Sequence, residues 1–137
     1  MVKGRPIAKI FVRLSLVANA VVLIAVCTVL IAFSTSEPVV YAWGPPTAGR
    51  GILLSIYFSI LVVSILLLGL HVYCADKTVI DTMVATLLAM QILYKITTPA
   101  TAGISNPVVC CNLGVSAFHG FTIFLLWRQY RPKLRRE

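Results

Sequence analysis

The sequence predicts an all-α fold: an integral membrane four-helix bundle with four transmembrane helices and both termini on the cytoplasmic side. Three observations carry this prediction. The 137-residue chain is 59% apolar and only 12% charged, whereas ordinary soluble domains are roughly 45–50% apolar and 25% charged. Its apolar residues fall into four long runs, each of the length needed to cross hydrocarbon as a helix. Of its 12 Lys and Arg residues, four lie within Lys3 to Arg13 and five within Arg128 to Arg136, so the charge is held at the two ends of an apolar middle. There is too little polar surface to wrap a soluble core.

The formal net charge of +8 does not imply a nucleic-acid partner. The basic residues flank apolar spans, where they set topology and meet anionic lipid headgroups; the expected partner is the lipid bilayer. The four cysteines, Cys27, Cys74, Cys110 and Cys111, form neither a CxxC nor a Cys/His zinc spacing and are expected to be free thiols.

The first span is expected over about 10–33, after four basic residues. Its apolar run is about 20 residues, longer than the 7–15 of a signal-peptide core, so it is read as a retained helix. Asn19 is its strongly polar interior residue and is expected to bond across to another helix. The first loop, 34–49, contains Glu37-Pro38 and Gly44-Pro45-Pro46, which break helix. Tyr41 and Trp43 suit the headgroup region, along which part of this loop is expected to lie. Thr47 is a candidate N-cap for the second span, about 50–73. There Gly51, Ser55 and Ser59 recur every four residues and would let a neighbouring helix approach closely. Asp76 caps the third span, about 77–96. Asp81 near its start and Lys95 near its end follow the helix macrodipole, and Lys95 is expected to snorkel to the interface. A loop over Thr97–Gly103 follows. The fourth span, about 106–127, starts with Asn106 as N-cap and Pro107 at the first helical position. Basic tails, 1–9 and 128–137, complete a single membrane domain.

Topology follows from the charges. Both tails are rich in Lys and Arg, the second loop has Lys77, and the first and third loops have only the boundary residues Arg50 and Lys95. The positive-inside rule therefore places the termini and the second loop in the cytoplasm, which agrees with an even number of spans. A compact chain of this kind suits a bacterial inner membrane or an organelle membrane, the former preferred.

The last two spans carry the polar cargo. Asn112, Ser116, His119 and Thr122 lie three or four residues apart on one face, as do Asp81, Gln91 and Lys95, with Val84 and Leu88 between them. Hydrocarbon penalises such stripes unless they face protein. With a hairpin centred near residues 101–102, Gln91 falls opposite Asn112, and Asp81 falls opposite Thr122 and near His119. A Gln91–Asn112 hydrogen bond and an Asp81 contact to Thr122 or His119 are expected. Ser116 and Gly120 would let the fourth span pack close to another helix. The histidines, His71 and His119, are poorly placed to share a haem, so no cofactor or metal is expected. No catalytic constellation is present, and a non-catalytic role is expected: an accessory or scaffold subunit packing against other membrane protein subunits, or a homo-oligomer. The alternative is a small oligomeric transporter or channel using the polar face of the third and fourth spans.

Overall fold

The computed structural model describes residues 6–134, with side chains over 7–131; parts of both basic tails lie outside the described residues. The described chain is all helical: α1 (Pro6–Ala32), α2 (Glu37–Trp43), α3 (Ala48–Tyr73), α4 (Lys77–Ala102) and α5 (Pro107–Leu134). Four of these, all but α2, are long and apolar enough to cross a membrane. At 1.5 Å per residue a 26-residue helix such as α3 or α4 is about 39 Å long, against a hydrocarbon core of about 30 Å. Their outward faces carry large apolar side chains such as Val21, Ile24, Ile52, Ile65, Met90 and Leu93, a surface suited to lipid rather than water.

The capping residues act locally. The Thr47 hydroxyl accepts from Arg50 N at 3.4 Å, the Asp76 carboxylate from Thr78 N at 3.0 Å, and the Asn106 side chain from Val108 N at 2.9 Å. Each meets a backbone donor that the first helical turn leaves without a partner.

Three boundaries differ from the sequence expectation. The first loop is not irregular throughout: Glu37–Trp43 is helical. Pro38 in its first turn needs no N–H there, Val39 is buried, and Gly44 at φ +79° ends the helix while donating to Val40 O. The expected loop at 97–103 is also largely helix, because α4 continues through Pro99 to Ala102. Pro99 has no N–H to give Lys95 O; the Thr98 hydroxyl donates to that carbonyl instead, at 2.6 Å. Gly103, at φ +83°, then ends the helix by donating to Pro99 O. Finally, α5 passes Trp127 and reaches Leu134. The Arg131 guanidinium lies 4.9 Å above the Trp127 ring and that of Arg128 lies 5.8 Å above Phe124, so the start of the basic tail is helix surface with i, i+4 cation–π pairs.

The four long helices form a ring. Helix α1 packs along α3, and α4 along α5, while α1 meets α5 and α3 meets α4 over smaller areas. We call the end where α1 begins and α5 finishes the proximal end, and the other the distal end. Near the proximal end, Ala8, Val12 and Leu16 of α1 join Leu67, Ile80, Val84, Leu88 and Leu126 in a core drawn from all four long helices. The distal core is different: Leu23, Cys27 and Leu30 of α1 pack with Val39, Tyr57 and Leu61, and α5 contributes no buried residue to it. That asymmetry creates the site described next.

Candidate functional site

Helices α1 and α5 are joined proximally and separated distally. Phe11 meets Phe121 edge-on, centroids 5.1 Å apart, and also lies against Phe118. One turn further, the Ser15 and Thr122 hydroxyls share a hydrogen bond of 2.8 Å. Beyond this point the helices diverge around a cavity of about 540 Å³, within the size range of small-molecule pockets, roughly 300–1,000 Å³. Val22, Leu23 and Val26 line it from α1, and Val108, Val115 and Phe118 from α5; Ala42 and Trp43 of α2 reach it at the distal end. The Asn106 amide holds α2 there by donating to Ala42 O at 3.0 Å. Exposed Val22, Cys111 and Gly114 carry the cavity to the outer surface between the two helices.

The polar groups of this cavity come from residues the sequence singles out, in an arrangement it does not predict. Lys95 is 5% exposed. Its amine donates to Gln91 Oε1 and to the Tyr94 hydroxyl, both at 2.9 Å. It does not snorkel: α4 runs two turns past it, so Lys95 is no longer at a helix end. His119 is fully buried, lines the cavity, and has no hydrogen-bond partner at either ring nitrogen. The Gln91 amide nitrogen and Ser116 Oγ also lack partners but stand outside the cavity lining, and the Trp43 indole is directed at the Tyr57 hydroxyl. Asn112 and Asn19 line the same space; Asn19 bonds across to Ser64 of α3 at 2.8 Å.

Two expected contacts are absent and are replaced by others. Gln91 accepts from Lys95, and Asn112 donates to Thr98 Oγ1 at 3.4 Å; they do not bond each other. Asp81 reaches neither Thr122 nor His119. It accepts from the Tyr130 hydroxyl at 2.7 Å, and its other oxygen lies 3.3 Å from His71 Nε2. The cause is the helical course of α4 through Pro99, which moves the hairpin turn outward and shifts each level partner by about two helical turns. Because two turns nearly restore the angular position, the faces are right and the partners are wrong. Asp81, Gln91, Lys95, Asn112, Ser116, His119 and Thr122 are all buried.

The site residues thus divide into two groups. Asp81, at the proximal end, belongs with His71, Tyr130 and Arg13, whose Nε lies 3.3 Å from His71 Nδ1, one residue from each long helix. Lys95 is 14 residues, about 21 Å, further along α4. Fully buried Val84 and Leu88 stand between them, with Leu16 and Leu67 in the same core. The cavity is therefore a dead end in this conformation rather than a through-going path.

The small residues of the second span face outward from the bundle. Gly51, Ser55 and Ser59 are exposed. A Cβ at Gly51 or Gly120 would meet no atom within 4 Å, so among the described residues no helix approaches closely there.

Several functional-site residues escape the sequence reading. His71 and Tyr130 were legible in principle: Tyr57, Leu61, Ser64, Leu67 and His71 form one stripe, and Tyr130 continues the Thr122–Leu126 face. Arg50 had no such signal. It is buried and donates to Gly44 O at 2.7 Å and to Ser34 O, tying the first loop to α3. Lys77, read only as a topology charge, donates to His71 O and Cys74 O and so satisfies carbonyls at the α3 terminus.

The fold and site define a class, a helical bundle whose four apolar helices are compatible with a multi-pass membrane protein. No protein-family model matches this chain, and no significant match was found among curated proteins or solved structures.

Proposed function

We propose that this chain is a non-catalytic multi-pass membrane protein that lodges a lipid-sized ligand in the α1–α5 cavity, a binding or carrier protein rather than an open channel. Both termini face the cytoplasm, as the Lys and Arg bias supports, and a bacterial inner membrane is the preferred setting. One observation carries this reading: buried Lys95 of α4, bonded to neutral groups alone, and buried His119 of α5, with neither ring nitrogen bonded, both line an apolar cavity that reaches the outer surface. Small-molecule sites have this composition, mostly apolar walls with a few convergent polar groups.

The test uses Gly114, which lines the cavity and where a new Cβ would meet nothing within 4 Å. Gly114→Phe fills the space without a backbone clash. The protein is extracted in mild detergent and examined by native mass spectrometry. A bound small molecule retained by the parent and lost from Gly114→Phe is expected; equal occupancy in both would refute the reading.

An accessory or self-associating role is a second reading, favoured by the outward-facing Gly51, Ser55 and Ser59. Gly51→Leu, which leaves the cavity untouched, is expected to reduce the mass of the particle on native electrophoresis. An unchanged mass would remove this reading and leave the first intact.

A further inference from the structure

We propose that the ligand of this cavity is a single-chain anionic amphiphile, its head paired with the Lys95 amine and its tail lying between α1 and α5. This rests on the ligand-binding reading above and adds the chemical class. Among the described residues, Lys95 is the one charged side chain lining the cavity. No carboxylate of the described residues forms an ion pair with Lys95. Glu37 is exposed, Asp76 caps α4, and Asp81 lies about 21 Å along the helix against His71 and Tyr130. Two of the ammonium protons have neutral acceptors in Gln91 and Tyr94. Among the described residues the third proton has no hydrogen-bond acceptor and the charge no opposite partner. A cation so deeply buried is costly unless an opposite charge meets it, and the cavity's opening to the outer surface is where one can enter.

His119 fits the same head. His119 can present an N–H from either ring nitrogen, since neither is engaged. An acceptor-only head such as a carboxylate or a phosphate monoester can accept from both the Lys95 amine and the His119 ring. The walls suit the rest of the molecule. Val22, Leu23 and Val26 face Val108, Val115 and Phe118 across the cavity, a lane for one acyl chain. A small inorganic anion would leave that apolar lane unfilled.

The experiment is displacement of a fluorescent fatty-acid probe from the purified full-length protein in a neutral detergent. The competitors are dodecanoate, dodecyl phosphate and dodecanol, which share one chain and differ in head. In the parent, either anion is expected to displace the probe at a concentration at least tenfold below that of dodecanol. The order of the two anions tells a carboxylate source from a phosphate source. Lys95→Met is expected to abolish the preference and Lys95→Arg to keep it, with melting checked for both. Equal displacement by dodecanol and the anions in the parent would overturn the proposal, whether or not Lys95→Met folds, and would leave the ligand-binding reading standing. Equal probe binding by the parent and Gly114→Phe would overturn both.

Discussion

Replacing Arg50 tests whether the first loop is held by one side chain. The guanidinium is 7% exposed and donates to two backbone carbonyls, Gly44 O and Ser34 O. Hydrogen bonds from a charged donor contribute about 1.5–3 kcal/mol each, so losing both in Arg50→Met should cost on the order of 3–6 kcal/mol locally. Arg50→Lys can keep one of the two and should fall midway. The loop does not belong to the proximal core, so its opening is a sub-global event and amide exchange is the right assay. The Val40 and Gly44 amides, which donate to Ser36 O and Val40 O, report on α2 directly. In Arg50→Met their exchange should accelerate by roughly 100-fold or more, since about 1.4 kcal/mol is a factor of ten, while amides of the α4–α5 pair stay unchanged. Exchange at Val40 and Gly44 within threefold of the parent would refute the argument, as would Arg50→Lys behaving like Arg50→Met.

Three other perturbations have defined outcomes. Thr98→Val removes the hydroxyl that serves Lys95 O and should cost about 1 kcal/mol in reversible unfolding; with Pro99→Ala restoring the backbone donor, the penalty should shrink, and an unchanged penalty would show that the hydroxyl does not replace the missing N–H. Tyr130→Phe removes a hydrogen bond to the Asp81 carboxylate and should cost about 1.5–3 kcal/mol, with a smaller cost in an Asp81→Asn background; strict additivity in that double-mutant cycle would mean the two side chains are not coupled. Leu88→Ala, at a fully buried position in the proximal core, should cost about 2–5 kcal/mol without changing probe displacement from the cavity, and a change in displacement would connect the two regions.

The parts of the fold legible in the sequence are those set by local chemistry. Asp76 and Asn106 cap helices because their side chains reach donors two residues away. The inward faces of α4 and α5 are read from spacing alone, since polar atoms at three- and four-residue intervals can point one way together. Partners are less legible because they depend on where a hairpin turns. Pro99 looks like a helix terminator, and only the adjacent Thr98 hydroxyl explains why it is not. That single position accounts for the misplaced pairs of Gln91, Asn112 and Asp81. The basic stretch after Trp127 looks like a polar tail because its charge is visible in sequence, whereas the stacking of Arg128 and Arg131 on rings one turn back is not. Arg50 is the hardest case: a loop-flanking arginine carries no mark of the two carbonyls that lie 6 and 16 residues before it.

The join between α1 and α5 has the mechanics of a tuning fork. Phe11, Ser15, Thr122 and their neighbours form the stem, and the distal halves are the tines. In water such apolar tines would snap together. Among acyl chains no comparable force closes them, because hydrocarbon solvates Val22 or Val115 about as well as protein does. Whatever surrounds the protein therefore competes for the gap. A detergent chosen for purification is itself a candidate guest, and an anionic one would compete at Lys95 with the proposed ligand, so the surfactant would decide whether the fork is isolated full or empty.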